Sequence, residues 1–210
     1  MKDPTTQDQP AGVPRAATQA GETRARWAWV EATVWNERML TALETGVKGG
    51  KWVSLIDKVY ALPNLRAAFA KVKVNAGAAG VDRQSIKMFE GNLEANLRKL
   101  SEELQAGHYR PRAVRRTWIE KLGKRHEKRP LGIPTVRDRV VQTALRNVVE
   151  PIYEKDFADQ SYGFRPGRGC KEALRRVDAL LKAGYRWVVD ADLKSYFDTI
   201  PHDPLLERVR

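Results

Sequence analysis

A single cysteine, Cys170, excludes a disulfide framework and any cysteine-based zinc site in this chain of 210 residues. The three histidines, His108, His126 and His202, are scattered and share no spacing that makes metal ligands. No apolar run approaches the ~20 residues of a membrane-spanning helix, so no membrane partner is expected. Acidic residues are also in short supply. Against 38 Lys and Arg stand 26 Asp and Glu, a formal net charge of +12. These features describe a soluble protein of a reducing compartment, with a core large enough for one or two domains. Its excess charge calls for a polyanionic partner, most simply a nucleic acid.

Large apolar residues are scarce at the start. Residues 1–26 hold Pro4, Pro10 and Pro14 among Thr, Gln and Ala, which predicts a disordered tail. A transit peptide is the alternative; Asp3, Asp8 and Glu22 speak against it, and the apolar core of a secretory signal is missing. The excess charge is concentrated further on. From Arg110 to Arg139 there are eleven Lys/Arg and three Asp/Glu, a net of +8, with Tyr109 and Trp118 interleaved. That mixture suits a groove for nucleic acid.

Periodicity predicts a largely helical N-terminal region. A helix is expected over 27–43, ended by Gly46, Gly49 and Gly50, and Ser54 to Asp57 has the pattern of a capping box. Pro63-Asn64 opens a further helix with Leu65, Phe69 and Val72 on its apolar face. Residues 75–82, Asn-Ala-Gly-Ala-Ala-Gly-Val-Asp, form a glycine-rich turn that matches no phosphate-binding loop. Leu93, Leu97, Leu100 and Leu104 mark a helix that Gly107 should stop. Strands are expected over 113–120 and 129–133, joined as a hairpin by the polar loop 122–128, whose basic tip carries Lys124, Arg125 and Lys128. Thr135 to Asp138 is a second capping pattern, and Pro151 should end or kink the helix behind it.

Residues 160–169, Gln-Ser-Tyr-Gly-Phe-Arg-Pro-Gly-Arg-Gly, combine glycines that allow close backbone approach with an aromatic and two arginines. Gly163, Phe164, Arg165, Gly167 and Arg168 are therefore candidate contacts to bases and phosphates. Beyond a helix carrying Leu174, Val177 and Leu181, Trp187 to Leu193 alternate apolar side chains with Val188, Asp190 and Asp192, a strand with an apolar face and an acidic one. A carboxylate at the end of such a strand needs a partner, and a divalent metal is one.

Three strings in this order resemble the ordered blocks of group II intron-encoded reverse transcriptases: Arg129-Pro-Leu-Gly-Ile-Pro-Thr-Val-Arg-Asp-Arg139, Gly-Phe-Arg-Pro-Gly-Arg at 163–168, and Asp192-Leu-Lys-Ser-Tyr-Phe-Asp-Thr-Ile-Pro-His202. The glycine-rich turn is similar to the block that precedes the fingers in the same family. The resemblance runs from about Val74 to the end, and residues 27–62 look like the leader of some bacterial members.

The resemblance implies an α+β architecture: a disordered tail (1–26), a helical extension (27–62), the fingers (63–185), and the first palm strand with the start of the next helix (186–210). The whole would be the beginning of a right-hand polymerase. It implies RNA-directed DNA synthesis with two Mg²⁺ ions, Asp192 as a metal ligand, and Lys121, Arg129 and Arg139 on the nucleotide triphosphate. Phe197 becomes the steric gate against ribonucleotides. It also implies an intron RNA template, a DNA primer or target, a dNTP, a role in splicing, and a bacterial, nucleoid-associated cytoplasmic location.

No Tyr-Ala-Asp-Asp string is present. The chain is therefore expected to bind RNA and, by itself, to make no DNA. Two further readings stay open, a non-catalytic RNA-binding module of maturase type and a retron or diversity-generating reverse transcriptase. For Arg139, pairing with Asp138 or Glu150 is the alternative to a nucleotide.

Overall fold

The computed structural model describes residues 23–121, 123–193 and 195–209, without the side chains of Lys48, Lys121, Lys124 and Arg125. Most of the tail expected over 1–26 thus lies outside the described residues. Two compact units divide the chain at 158/159.

In the first unit the helix expected over 27–43 is broken. Turns occupy 27–29 and 32–34, and helix α1 (Glu37–Thr45) starts only after Asn36, whose side chain accepts the Met39 amide at 2.9 Å. A side chain that supplies this acceptor starts a helix where it stands. Trp27 then folds back along α1, its indole donating to Glu44 Oε1 at 2.7 Å. Gly46, at φ 86°, closes the helix as expected.

The short helix α2 (Ile56–Tyr60) lacks the cap read from Ser54. Leu55 takes the N-cap position, and Ser54 sits one residue too early at φ 56°, so no side chain caps α2.

Helix α3 (Leu62–Asn75) buries Leu65, Ala68, Phe69 and Val72. It packs along α6 (Val136–Glu154), which buries Val136, Val140, Ala144 and Val148 in return. Helices α4 (Ile86–Gly91) and α5 (Leu93–Gln105) close the cluster with Phe89, Leu97 and Leu100. Gly107 ends α5 at φ 68°, with the His108 amide reaching back to the Glu103 carbonyl at 2.9 Å and the Gly107 amide to that of Leu104 at 3.2 Å. That is a Schellman closure, and it follows from the glycine.

A polar bridge crosses this core. Buried Asn64 donates to the carbonyls of Lys58 and Ala144 at 2.9 and 3.1 Å and accepts from Asn147 Nδ2 at 2.8 Å. Helix α6 does not stop at Pro151, which is buried inside it. A proline removes the amide that would bond the carbonyl four residues earlier. Here that carbonyl belongs to Asn147, and the Trp35 indole donates to it at 2.9 Å from the N-terminal segment. The tryptophan thus replaces the missing helical bond. Trp35→Phe leaves the carbonyl unpaired in the core, and we expect unfolding free energy to fall by about 1–3 kcal/mol in urea titration.

Strands β1 (Arg115–Lys121) and β2 (Lys124–Ile133) pair antiparallel. The second starts earlier than the sequence suggests, so residues 124–128 belong to it and not to a loop. Glu120 faces Lys128 while Lys121 faces Lys124, so the ladder register skips 125–127 in an irregular bulge, with His126 at φ 79°.

The second unit holds α7 (Cys170–Lys182), a short turn at Tyr196–Asp198, and α8 (His202–Val209). The strand expected over 187–193 is not formed. The segment makes no ladder with any described residue, and Trp187 and Val189 are 97% and 93% exposed. A strand exists through the neighbour that satisfies its amides and carbonyls, and alternation in sequence does not provide that neighbour.

Candidate nucleic-acid interface

The basic segment divides into two classes according to what its side chains hold. Arg139 reaches into the glycine-rich turn, donating from Nη1 to the Ala76 carbonyl at 3.1 Å and from Nη2 to that of Ala78 at 3.0 Å. Arg115 Nε holds the Ala79 carbonyl at 2.9 Å. Burial holds the Arg139 guanidinium below its ordinary pKa, with Asp82 acting in the other direction. Neither acid weighed for it in the sequence is its partner: Glu150 pairs with Arg146 at 2.6 Å, and Asp138 serves other groups.

Asp138 is buried and accepts from three donors, the Tyr109 hydroxyl and Thr135 Oγ1, each at 2.7 Å, and the Arg112 amide at 3.2 Å. Thr135 caps α6 as its spacing predicts, its hydroxyl accepting the Asp138 amide at 3.2 Å. Tyr109 is half-buried beneath Arg137, whose guanidinium lies 5.0 Å from the ring centroid. Burial, with the Asp138 hydrogen bond, pushes its phenol well above the usual range. Tyr109 is therefore part of the fold, not the free aromatic the sequence suggested.

Arg137 pairs with Glu103, and Arg112 with Asp82 at 3.4 Å. These two pairs border a cleft of about 220 Å³ that also meets Lys99. Each arginine there faces an acid, so the two arginines add little net attraction for an anion.

What remains on the hairpin is a smaller set. Arg116, Lys128 and Arg129 are exposed and have no partner among the described residues. Lys121, Lys124 and Arg125 lie on the same two strands, and only their backbone is described. Of the three residues expected to meet a triphosphate, Arg129 is exposed and without a partner among the described residues, Arg139 is engaged with the turn, and Lys121 is undescribed beyond its backbone.

In the second unit, both arginines of the 160–169 loop are engaged with protein groups. Arg165 is buried and donates to the Ser161 carbonyl at 2.9 Å, and Arg168 reaches the Asp159 carbonyl and carboxylate. Gly167 adopts φ 67° and Gly163 stands in open space. Phe164, at φ 57°, is fully exposed. The loop thus has its arginines engaged and displays its aromatic.

Asp190 and Asp192 are exposed and have no partner among the described residues. Phe197 is 84% exposed, edge-on to Tyr196 at 5.4 Å. Asp198 contributes its amide to the turn, donating to the Ser195 carbonyl at 3.0 Å. The two carboxylates offer hard oxygen donors of the type Mg²⁺ takes, and their exposure leaves them free to do so. Among the described residues no cluster of three or more acid, His or Cys side chains surrounds them.

Comparison with known proteins places these residues in context. The sequence pattern of the family described as "Reverse transcriptase (RNA-dependent DNA polymerase)" matches residues 119–210, a span that includes most of the hairpin, the 160–169 loop and Asp192. "Protein YkfC" of Escherichia coli K12 is 41% identical over 155 residues, covering 70% of this chain and 40% of that protein. "Group II intron-encoded protein LtrA" of Lactococcus lactis is 42% identical over 117 residues, covering 56% of this chain and 19% of the relative. "Nuclear intron maturase 2, mitochondrial" of Arabidopsis thaliana is 42% identical over 86 residues, 40% of this chain and 12% of its own length. The chain thus spans less than half the length of each of these relatives.

Proposed function

We propose that this chain, which belongs to the reverse transcriptase family of group II intron-encoded proteins and maturases through residues 119–210, supplies the fingers and the entry to the palm of a right-hand RNA-directed DNA polymerase. The observation that carries this reading is the family match, since one continuous span contains most of the basic hairpin, the aromatic loop and the acidic pair. In the cell it would act on intron RNA as template and splicing substrate, with a DNA primer or target, in the nucleoid-associated cytoplasm.

The roles follow from charge and exposure. Arg129 and Lys121 would neutralise the triphosphate of an incoming dNTP, Arg129 through the planar fork that matches phosphate oxygens. Arg139 can join them only by releasing the Ala76 and Ala78 carbonyls. Asp192, with Asp190, would hold Mg²⁺. When bound, the ions supply positive charge where the attacking and leaving oxygens develop negative charge. Phe197 would close the space that a ribose 2′-hydroxyl requires.

The test is RNA binding set beside primer extension with Mg²⁺. RNA binding without any DNA synthesis in the whole protein would favour a maturase-type binding module instead. For the 210-residue chain we expect binding and no extension, because it has no Tyr-Ala-Asp-Asp block. Replacing Lys124, Arg125 and Lys128 with Glu should weaken RNA binding and lower the slope of log affinity against log salt by about 0.7 for each phosphate no longer neutralised. An unchanged slope in filter binding would remove the hairpin from the interface. Phe197→Ala should lower the dNTP-to-rNTP incorporation ratio of the polymerase; a constant ratio would remove the gate assignment.

A further inference from the structure

The two faces of the hairpin differ in what they present. Side chains alternate along a strand, and directly paired residues share a face. Arg115, Thr117 and Ile119 therefore stand with Ile133, Leu131 and Arg129 on one side. Arg116, Trp118 and Glu120 stand with Gly132, Pro130 and Lys128 on the other.

On this second face Trp118 is 57% exposed. Its neighbours across the ladder are small or cyclic: Pro130 opposite it and Gly132 opposite Arg116. No aromatic ring lies against the indole among the described residues. Arg116 precedes it on the face, and Lys128 lies diagonally across. Both cations are exposed and have no partner among the described residues, unlike Arg112, Arg115, Arg137 and Arg139, which are engaged with Asp82, the Ala79 carbonyl, Glu103 and the glycine-rich turn. An uncovered indole flanked by two available cations matches an unpaired nucleotide, whose base offers a π-face and whose neighbouring phosphates offer charge.

We propose that Arg116, Trp118 and Lys128 form a stacking platform for one unpaired base of single-stranded RNA, on the face of the hairpin opposite Arg129. This rests on the nucleic-acid-binding reading and gives it a residue. The indole supplies affinity that depends on a base being present but not on which base, and the two cations supply a part that depends on salt. At Gly132 the missing side chain leaves room for Val114, whose side chain would lie 3.0 Å from a Cβ there.

The experiment is fluorescence anisotropy with two dye-labelled strands of about 12 units, an oligouridylate and an abasic ribose-phosphate strand of equal length and charge. The 210-residue chain is compared with Trp118→Ala, Trp118→Leu, Trp118→Phe and Arg129→Glu. Both Ala and Leu should weaken binding of the oligouridylate by about 5- to 100-fold and leave the abasic strand within about twofold. Phe, which keeps an aromatic face, should stay within about fivefold on the oligouridylate. Arg129→Glu should weaken both strands alike. Equal losses on the two strands with Leu, a Phe variant as weak as Ala, or no loss with any Trp118 variant would each overturn the platform. If the unmodified chain binds neither strand, the nucleic-acid reading itself fails and the platform with it.

Discussion

Gly80→Ala is expected to lower the stability of the first unit by about 2–3 kcal/mol and its melting midpoint by roughly 5–12 °C. Gly80 is buried against the N-terminus of α6. A Cβ at this position would lie 2.7 Å from Thr135 Cα, 2.8 Å from Thr135 N and 3.0 Å from the Pro134 carbonyl carbon. All three are backbone atoms, so no rotamer change relieves the clash. Either the turn lifts or the helix start moves. The helix start is anchored by the Thr135 cap and by Asp138 with its three donors, and the turn is anchored by Arg139 and Arg115. Movement of either breaks hydrogen bonds of the other.

Gly91→Ala is the matched control. It places the same methyl in open space, near the end of a helix where alanine is the better residue, and should be neutral or slightly stabilising. Thermal unfolding followed by circular dichroism compares the two. A Gly80→Ala midpoint within about 2 °C of the parent would show that the turn does not pack on α6.

That coupling between residues 76–80 and Arg139 shows where the sequence was legible and where it was not. The helix from Leu93, its glycine closure and the Thr135 cap were readable, because each rests on residues within a few positions of one another. The hairpin was readable in kind but not in extent, since a bulge at 125–127 is set by pairing across the strands and not by composition. The break in the helix expected over 27–43 was hidden because Trp27 and Trp35 answer to Glu44 and Asn147, distant in sequence. That the helix runs on through Pro151, expected to end or kink it, was hidden for the same reason: the donor that compensates it lies over a hundred residues upstream.

For the site, residue type was readable and availability was not. Arg129 and Arg139 belong to one string, yet the first is free among the described residues and the second is bound to two carbonyls. Trp118 and Tyr109 were equivalent aromatics in a basic run, until the fold half-buried one against Asp138 and left the other exposed. The strand at 187–193 depends wholly on neighbours, so its alternation alone did not bring it about.

Asp192→Asn should abolish DNA synthesis in a protein that carries this chain together with the later acidic block of the family, lowering kcat by about 10³-fold or more. RNA affinity should change by less than about twofold. The substitution preserves shape and exposed position and removes one negative charge. Asp192 is exposed with no partner among the described residues, so none of the hydrogen bonds or ion pairs described depends on that charge, and the folded state should be indifferent to its loss. The reaction is not indifferent. Stabilisation of charge at the reacting oxygens is worth several kcal/mol, and about 4 kcal/mol corresponds to a thousandfold in rate. An amide oxygen cannot offset a divalent charge as a carboxylate does.

On the proposed reading RNA affinity would reside in hairpin cations such as Lys128, which the substitution leaves untouched. A neutral side chain in place of an acid should, if anything, favour a polyanion slightly. Primer extension and filter binding on the same preparation separate the two effects. Extension within a few-fold of the parent would remove Asp192 from the reacting centre, and a parallel loss of RNA binding would show that its carboxylate shapes the interface instead.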